Sequence, residues 1–214
     1  MLQKHIKAVI CDFGGVLTTP LIQSFAAFQD QTGISAVALG RAMQTIAERD
    51  GAHPLYELEK GLMTEADFLE QVRAALTPEI GHVPEMHRFN EIYFEALQPN
   101  EEMISLMREI GRSGIRMALL TNNVREWEPL WRSMLPVDEI FELVVDSAFV
   151  GMRKPDPEIY ELTLARLGPA FSAEDCLFVD DILVNVDSAR ALGMTAVHFV
   201  DNEQAIGEIR AALS

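Results

Sequence analysis

Five short runs of β-branched and aliphatic residues, the later ones alternating with helix-spaced stretches, set the tightest limit on how this chain can fold. They lie at 6–11, 115–121, 143–146, 176–180 and 195–200. Strand-like runs alternating with helical patterns point to βαβ units and a parallel sheet. Met103, Ile104, Met107 and Ile110 repeat at helical spacing after Asn100, a fitting N-cap, and before Gly111 and Gly114. Further helices are expected over 158–167, after Pro157 and before Gly168, and over 183–192, before Gly193. The first run breaks this rhythm. From about Pro20 to Pro99 the apolar residues keep helical spacing throughout: Leu21, Phe25 and Phe28; Val37, Met43 and Ile46; Phe68, Val72 and Leu76; Phe89, Tyr93 and Leu97. Thr64 with Asp67 three residues on resembles a capping box. The expected fold class is therefore α/β: a doubly wound, Rossmann-like parallel core over residues 1–17 and 100–214, with an α-helical block, 18–99, inserted after the first strand.

Composition narrows the chemistry. With 33 acidic against 17 basic residues, the net charge of −16 argues against a nucleic acid or anionic membrane partner, since both need a basic face. Such a shell also repels phosphate esters, so an anionic substrate needs a local metal or a few well-placed basic residues. No apolar run approaches the ~18 residues of a membrane span. The N-terminal residues lack the pattern of a signal peptide. Cys11 and Cys176 lie in apolar runs without a pairing pattern, which suits a reducing compartment. The expected location is the cytoplasm, as a monomer or homodimer.

Three segments that carry chemistry end a strand-like run, and a fourth follows one. Asp12 closes the first, ahead of Phe13-Gly14-Gly15; Thr121 and Asn122 close the second; Lys154 follows the third; Asp180 and Asp181 close the fourth. Taken singly, each has a plain structural role: a turn former, a loop start, a solvated Lys-Pro, a helix cap. Taken together they converge on one rim, because open parallel sheets bind ligands beyond the carboxyl ends of their strands. Clustered carboxylates repel one another, and a hard divalent cation relieves this. Magnesium takes carboxylate, carbonyl and phosphate oxygens, so Asp12, Asp181 and the Gly14 carbonyl are candidate ligands. Asp12 would then attack a phosphoryl group. Thr121, Asn122 and the backbone N–H groups of Phe13, Gly14 and Gly15 would hold its oxygens, and Lys154 would offset the charge.

These four motifs, in this order, resemble the haloacid dehalogenase superfamily. The stretches 151–160 (G-M-R-K-P-D-P-E-I-Y) and 178–193 (F-V-D-D-I-L-V-N-V-D-S-A-R-A-L-G) are similar to the subgroup that includes the phosphatase domain of soluble epoxide hydrolases and bacterial sugar-phosphate phosphatases. The resemblance implies a magnesium-dependent phosphatase acting on a small phosphorylated metabolite, a sugar phosphate among the candidates, with the helical block serving as a cap. It makes Asp12 the nucleophile of an aspartyl-phosphate, Asp181 a direct magnesium ligand and Asp180 a water-mediated one. Thr121 and Lys154 hold phosphate, and Asn185 orients the loop.

One position departs from the pattern. Family phosphatases usually carry a second aspartate two residues after the nucleophile, where this chain has Gly14. That residue protonates the leaving group, a contribution of about 10²–10⁴-fold. Three explanations compete: a phosphatase with a substitute acid, a hydrolase of another bond such as a 2-haloacid dehalogenase, or a weakly catalytic phospho-ligand-binding module. The acidic pair weighs against the second and the retained nucleophile and lysine against the third. A substitute acid can come from His53, Glu57 or Glu59, although each reads first as a solvated group on a helix turn. His82 and His87 read as surface residues, and Trp127 and Trp131 as a packing face first and a substrate mouth or dimer contact second.

Overall fold

The computed structural model describes residues 5–86 and 88–214, so His87 and the first four residues lie outside the described residues. The five runs form β1 (Ala8–Cys11), β2 (Arg116–Thr121), β3 (Leu143–Asp146), β4 (Cys176–Asp180) and β5 (Thr195–His198). All neighbours are parallel, in the order β3-β2-β1-β4-β5. The chain therefore winds outward from β1 to β2 and β3, then crosses back to β4 and β5. The direction reverses between β1 and β4, the switch point where α/β sheets open a crevice.

Burial on both sides explains why the strands read as unbroken apolar runs. Val9, Cys11, Met117, Leu119, Leu177 and Val179 face one hydrophobic cluster. Ala8, Ile10, Ala118, Leu120, Cys176 and Phe178 alternate with them and face another. Both cysteines are buried free thiols.

The segment after β1 is helical, with α1 (Ile22–Thr32), α2 (Ala36–Asp50), α3 (Pro54–Glu59), α4 (Glu65–Ile80) and α5 (Phe89–Glu95). Ser35 and Thr64 cap α2 and α4 by accepting from the backbone N–H groups of Ala38 and Asp67. The chain leaves the sheet region and returns to it through adjacent segments: Thr18 and Pro99 form an isolated antiparallel bridge, and the Asn100 N–H donates to the Leu17 carbonyl at 2.9 Å. Around the sheet lie α6 (Glu101–Arg112), α7 (Glu128–Ser133), α8 (Val137–Ile140), α9 (Ser147–Val150), α10 (Pro157–Leu167), α11 (Leu183–Ala191) and α12 (Asn202–Leu213). Phe28, Leu39, Leu58, Phe68, Val72 and Leu76 of the inserted helices join the same cluster as Val9 and Leu119. The two parts thus share one apolar interior. Among the described residues no helix is long and apolar enough to cross a membrane.

Candidate active site

Register brings the acidic groups together. Cys11 of β1 lies level with Leu119 of β2 and Val179 of β4, so Asp12 comes level with Asp180, one residue on. Thr121 ends β2 beside them, opposite Asp146 of β3. Carboxylate oxygens of Asp12, Asp180 and Asp181 all lie within 4.8 Å of one another.

Lys154 enters this cluster from the loop after α9. Its Nζ sits 2.7 Å from Asp12 Oδ1 and 2.7 Å from Asp180 Oδ2, and the residue is 1% exposed. Asp180 is fully engaged. Besides Lys154 it accepts from the Ile182 N–H at 2.8 Å and from Asn185 Nδ2 at 3.0 Å. Asn185 therefore holds a carboxylate rather than facing the opening. The pair Asp12–Asp180 is fixed by one buried ammonium, while Asp12 Oδ2 makes no hydrogen bond among the described residues.

Three carboxylates against one ammonium leave a net negative, poorly hydrated cluster. Burial, with Asp180 and Asp181 nearby, pushes Asp12 up to about 8 against the pull of Lys154. Burial and Asp180 push Asp181 up to about 6. Burial disfavours the Lys154 ammonium, but Asp12 and Asp180 outweigh it and hold the group above its ordinary value. An all-oxygen donor set that resists ionisation on its own fits a hard divalent cation. The turn is shaped to match: Gly15 has φ 78°, and a Cβ there would run into the Asp181 carboxylate.

The remaining expected residues are placed unevenly. The Thr121 side chain is buried at the rim and its hydroxyl makes no hydrogen bond among the described residues. The Asn122 side chain is occupied elsewhere, since Nδ2 donates to the Lys154 carbonyl at 2.9 Å and Oδ1 accepts the Lys154 N–H at 2.8 Å. It shapes the lysine loop. The Gly15 N–H is likewise taken, by Thr18 Oγ1 at 3.1 Å. At Gly14, a Cβ would meet the Leu21 side chain at 3.2 Å. An aliphatic group from the start of α1 thus stands where a side chain at residue 14 would extend.

Of the three groups weighed as substitute acids, only Glu59 reaches the cavity that Gly14 lines. It is buried, pairs with Arg153 at 2.6 Å, and its carbonyl accepts from Ser147 Oγ. Burial raises its carboxyl while Arg153 pulls it down, the balance lying above the ordinary value. Glu57 is paired with Lys60 at 2.6 Å, and His53 stacks on Tyr56 at 4.4 Å. His82 is exposed. The two tryptophans part company: Trp131 is fully buried against Phe13, whereas Trp127 lines the cavity and donates to Glu65 Oε1 at 2.8 Å.

Sequence reading missed Arg153 as the partner of Glu59, and Leu21 and Tyr93 as cavity residues. Only Tyr93 carried a signal, a hydroxyl within an otherwise apolar helical stripe.

A family model for haloacid dehalogenase-like hydrolases matches residues 6–193. A sesquiterpene phosphatase of Aspergillus oryzae is 29% identical over 213 residues, with 95% of each chain covered. Bifunctional epoxide hydrolase 2 of Rattus norvegicus is 24% identical over 220 residues, 95% of this chain but 38% of that longer protein. A haloacid dehalogenase family enzyme from Bacteroides thetaiotaomicron, solved with magnesium and inorganic phosphate, superposes with a TM-score of 0.65 at 22% identity. The match covers 90% of this chain and 93% of that one.

Proposed function

The chain belongs to the haloacid dehalogenase-like hydrolase family, and from that premise we propose that it hydrolyses a small phosphomonoester, with Asp12 as nucleophile and magnesium as cofactor. The observation that carries this reading is the buried Lys154 bridge, which fixes one oxygen of Asp12 and leaves the other unbonded at the sheet rim. Asp12 and Asp181, with the Gly14 carbonyl, would hold magnesium, and Asp180 would act through water because its own oxygens are engaged. When bound, the ion neutralises phosphoryl charge and favours the ionised form of Asp12.

Asp12 Oδ2 attacks phosphorus, and the bond from phosphorus to the ester oxygen breaks with its electron pair on that oxygen. Thr121 and Lys154 stabilise the phosphoryl charge. Water then attacks the phosphorus of the aspartyl-phosphate, releasing phosphate and restoring the carboxylate. Residues 18–99 act as a cap over this chemistry and exclude bulk water. The A. oryzae phosphatase, matched along nearly its whole length, and the B. thetaiotaomicron magnesium–phosphate complex both support this choice of reaction.

Glu59 takes over the proton work that Gly14 cannot do, giving a proton to the leaving oxygen and later accepting one from water. Glu59→Gln should slow alkyl phosphates by about 10²-fold or more. p-Nitrophenyl phosphate, whose leaving group needs no proton, should lose little. Equal losses on both substrates would reduce Glu59 to a structural partner of Arg153.

Magnesium binding carries a pH signature. In the metal-free fold Asp12 and Asp181 are raised, so the stability they contribute is complete below their ordinary value of 3.8 and is lost as pH rises through about 6 and about 8. A cation that favours the ionised forms reverses this loss. The rise in melting temperature on adding magnesium should therefore grow from pH 6 to pH 8. A shift independent of pH would show these carboxylates already ionised in the apo protein.

A further inference from the structure

The cavity beside the turn that follows Asp12 has a volume of about 290 Å³ and runs from Phe13, Gly14 and Thr121 up between the inserted helices. Its wall is almost wholly apolar. Leu39 of α2, Phe68 and Val72 of α4, Phe89 and Phe94 of α5, and Trp127 make up much of it. Phe89, Tyr93 and Phe94 stand with ring centroids 6.0, 5.0 and 5.4 Å from that of Trp127 and form an aromatic wall.

The polar groups on this lining are few and mostly occupied. Glu59 is held by Arg153 at 2.6 Å. Both ends of the Asn122 amide are bonded to the Lys154 backbone. Asn123 Oδ1 accepts the Val124 N–H at 2.9 Å. Thr121 is assigned to the phosphoryl group in the reading above. Tyr93 offers one hydroxyl to a ligand in the remaining space. A sugar would bring several hydroxyls here and find almost no partners. Each one buried unpaired weakens binding by roughly fivefold to a hundredfold.

Resting on the phosphatase reading above, we propose that this cavity seats the hydrocarbon part of a lipophilic phosphomonoester, so that the substrate is the phosphate of an apolar alcohol rather than of a sugar or polyol. At the ~30 Å³ that a water-sized group takes up in a liquid, 290 Å³ accommodates on the order of ten carbons. Leu21 against Gly14 continues the apolar surface down to the reacting centre. The same arrangement that removes the usual acid makes the floor fit for a hydrocarbon chain.

The test uses the full chain with magnesium and n-alkyl phosphates from butyl to dodecyl, kept below their micellar concentrations. Glycerol 3-phosphate, glucose 6-phosphate and p-nitrophenyl phosphate complete the panel. kcat/KM should rise about fourfold per methylene and level off near ten carbons, far above both polyol phosphates. A flat series, or glucose 6-phosphate matching octyl phosphate, overturns the proposal even though p-nitrophenyl phosphate is hydrolysed. If no phosphate ester turns over, the phosphatase reading itself fails, and a second arm decides the cavity alone. Decanol, without phosphate or magnesium, should raise the melting temperature and change tryptophan fluorescence where sorbitol does neither. No response to decanol overturns the proposal regardless of activity. Met43→Trp, at a half-buried lining position, should shorten the preferred chain, and an unchanged length preference would contradict the assigned seat.

Discussion

Asp12→Asn should lower turnover by about 10⁴-fold or more, while the metal-free protein near pH 8 melts at the same temperature as wild type or higher. The two halves of this result come from the same burial. The amide keeps the shape of the carboxylate but is not a nucleophile, so the phosphoryl group has no acceptor. Its neutrality also relieves a strain on the fold. Asp12 is pushed up to about 8 from 3.8 because burial and two neighbouring aspartates outweigh the pull of Lys154. An acid with a raised value destabilises the fold as pH climbs from its unfolded to its folded value, and asparagine removes that penalty. Lys154 keeps Asp180 as a partner at 2.7 Å, so the variant leaves no orphaned charge. Residual activity near wild type would refute the nucleophile. A clear fall in melting temperature at pH 8 would mean that the Lys154 attraction exceeds the cost of burial.

Lys154→Met should be the most destabilising single change in the site. The side chain is 1% exposed and is the cation that both Asp12 and Asp180 contact. Removing one partner of a buried ion pair costs about 3–5 kcal/mol, which for a chain of this size is a drop of about 10 °C in melting temperature. The direction with pH is fixed by the carboxylates left behind. Without the ammonium Asp12 is raised further, so the deficit is largest at high pH and shrinks as pH falls and Asp12 takes up its proton. Turnover should be lost as well, since the phosphoryl group loses its neighbouring positive charge. A melting curve that barely moves, or a deficit that grows towards low pH, would contradict the bridging role. Thermal melts across pH, without and with magnesium, check both statements.

How much of this was legible in the sequence depends on which force sets each feature. The strands were legible because both faces of a parallel sheet are buried, which leaves continuous apolar runs that end abruptly in Asp12, Thr121 and Asp180. Their outer ends were less so. Ile6 is buried yet precedes β1, and Val200 is 67% exposed beyond β5, so composition alone overextends both runs. The meeting of Asp12 with Asp180 was legible from the rule that carboxyl ends of strands share a rim. That Asn122 turns its amide to the Lys154 backbone was not, because a loop start has the same residues whether it faces a ligand or another loop.

The inserted helices hide more. Phe68, Val72 and Leu76 repeat at helical spacing, and this spacing is identical whether a helix face packs solid or borders a cavity. Only the placement of α2, α4 and α5 around Trp127 shows that the interior is open. Glu57 and Glu59 are two residues apart and alike in sequence. The turn of α3 sends one to Lys60 and the other to Arg153 beside the cavity. The proposed acid Glu59 and much of the cavity wall belong to this inserted part, where tertiary packing rather than local pattern sets the surroundings of each side chain.

The stereochemical course at phosphorus tests the nucleophilic role of Asp12 most directly, using a thiophosphate ester made chiral with two oxygen isotopes and hydrolysed in water carrying the third. Two in-line displacements, first by Asp12 Oδ2 and then by water, each invert the phosphorus centre, so the released thiophosphate should show net retention. Net inversion would mean a single direct attack by water and would contradict an aspartyl-phosphate on Asp12.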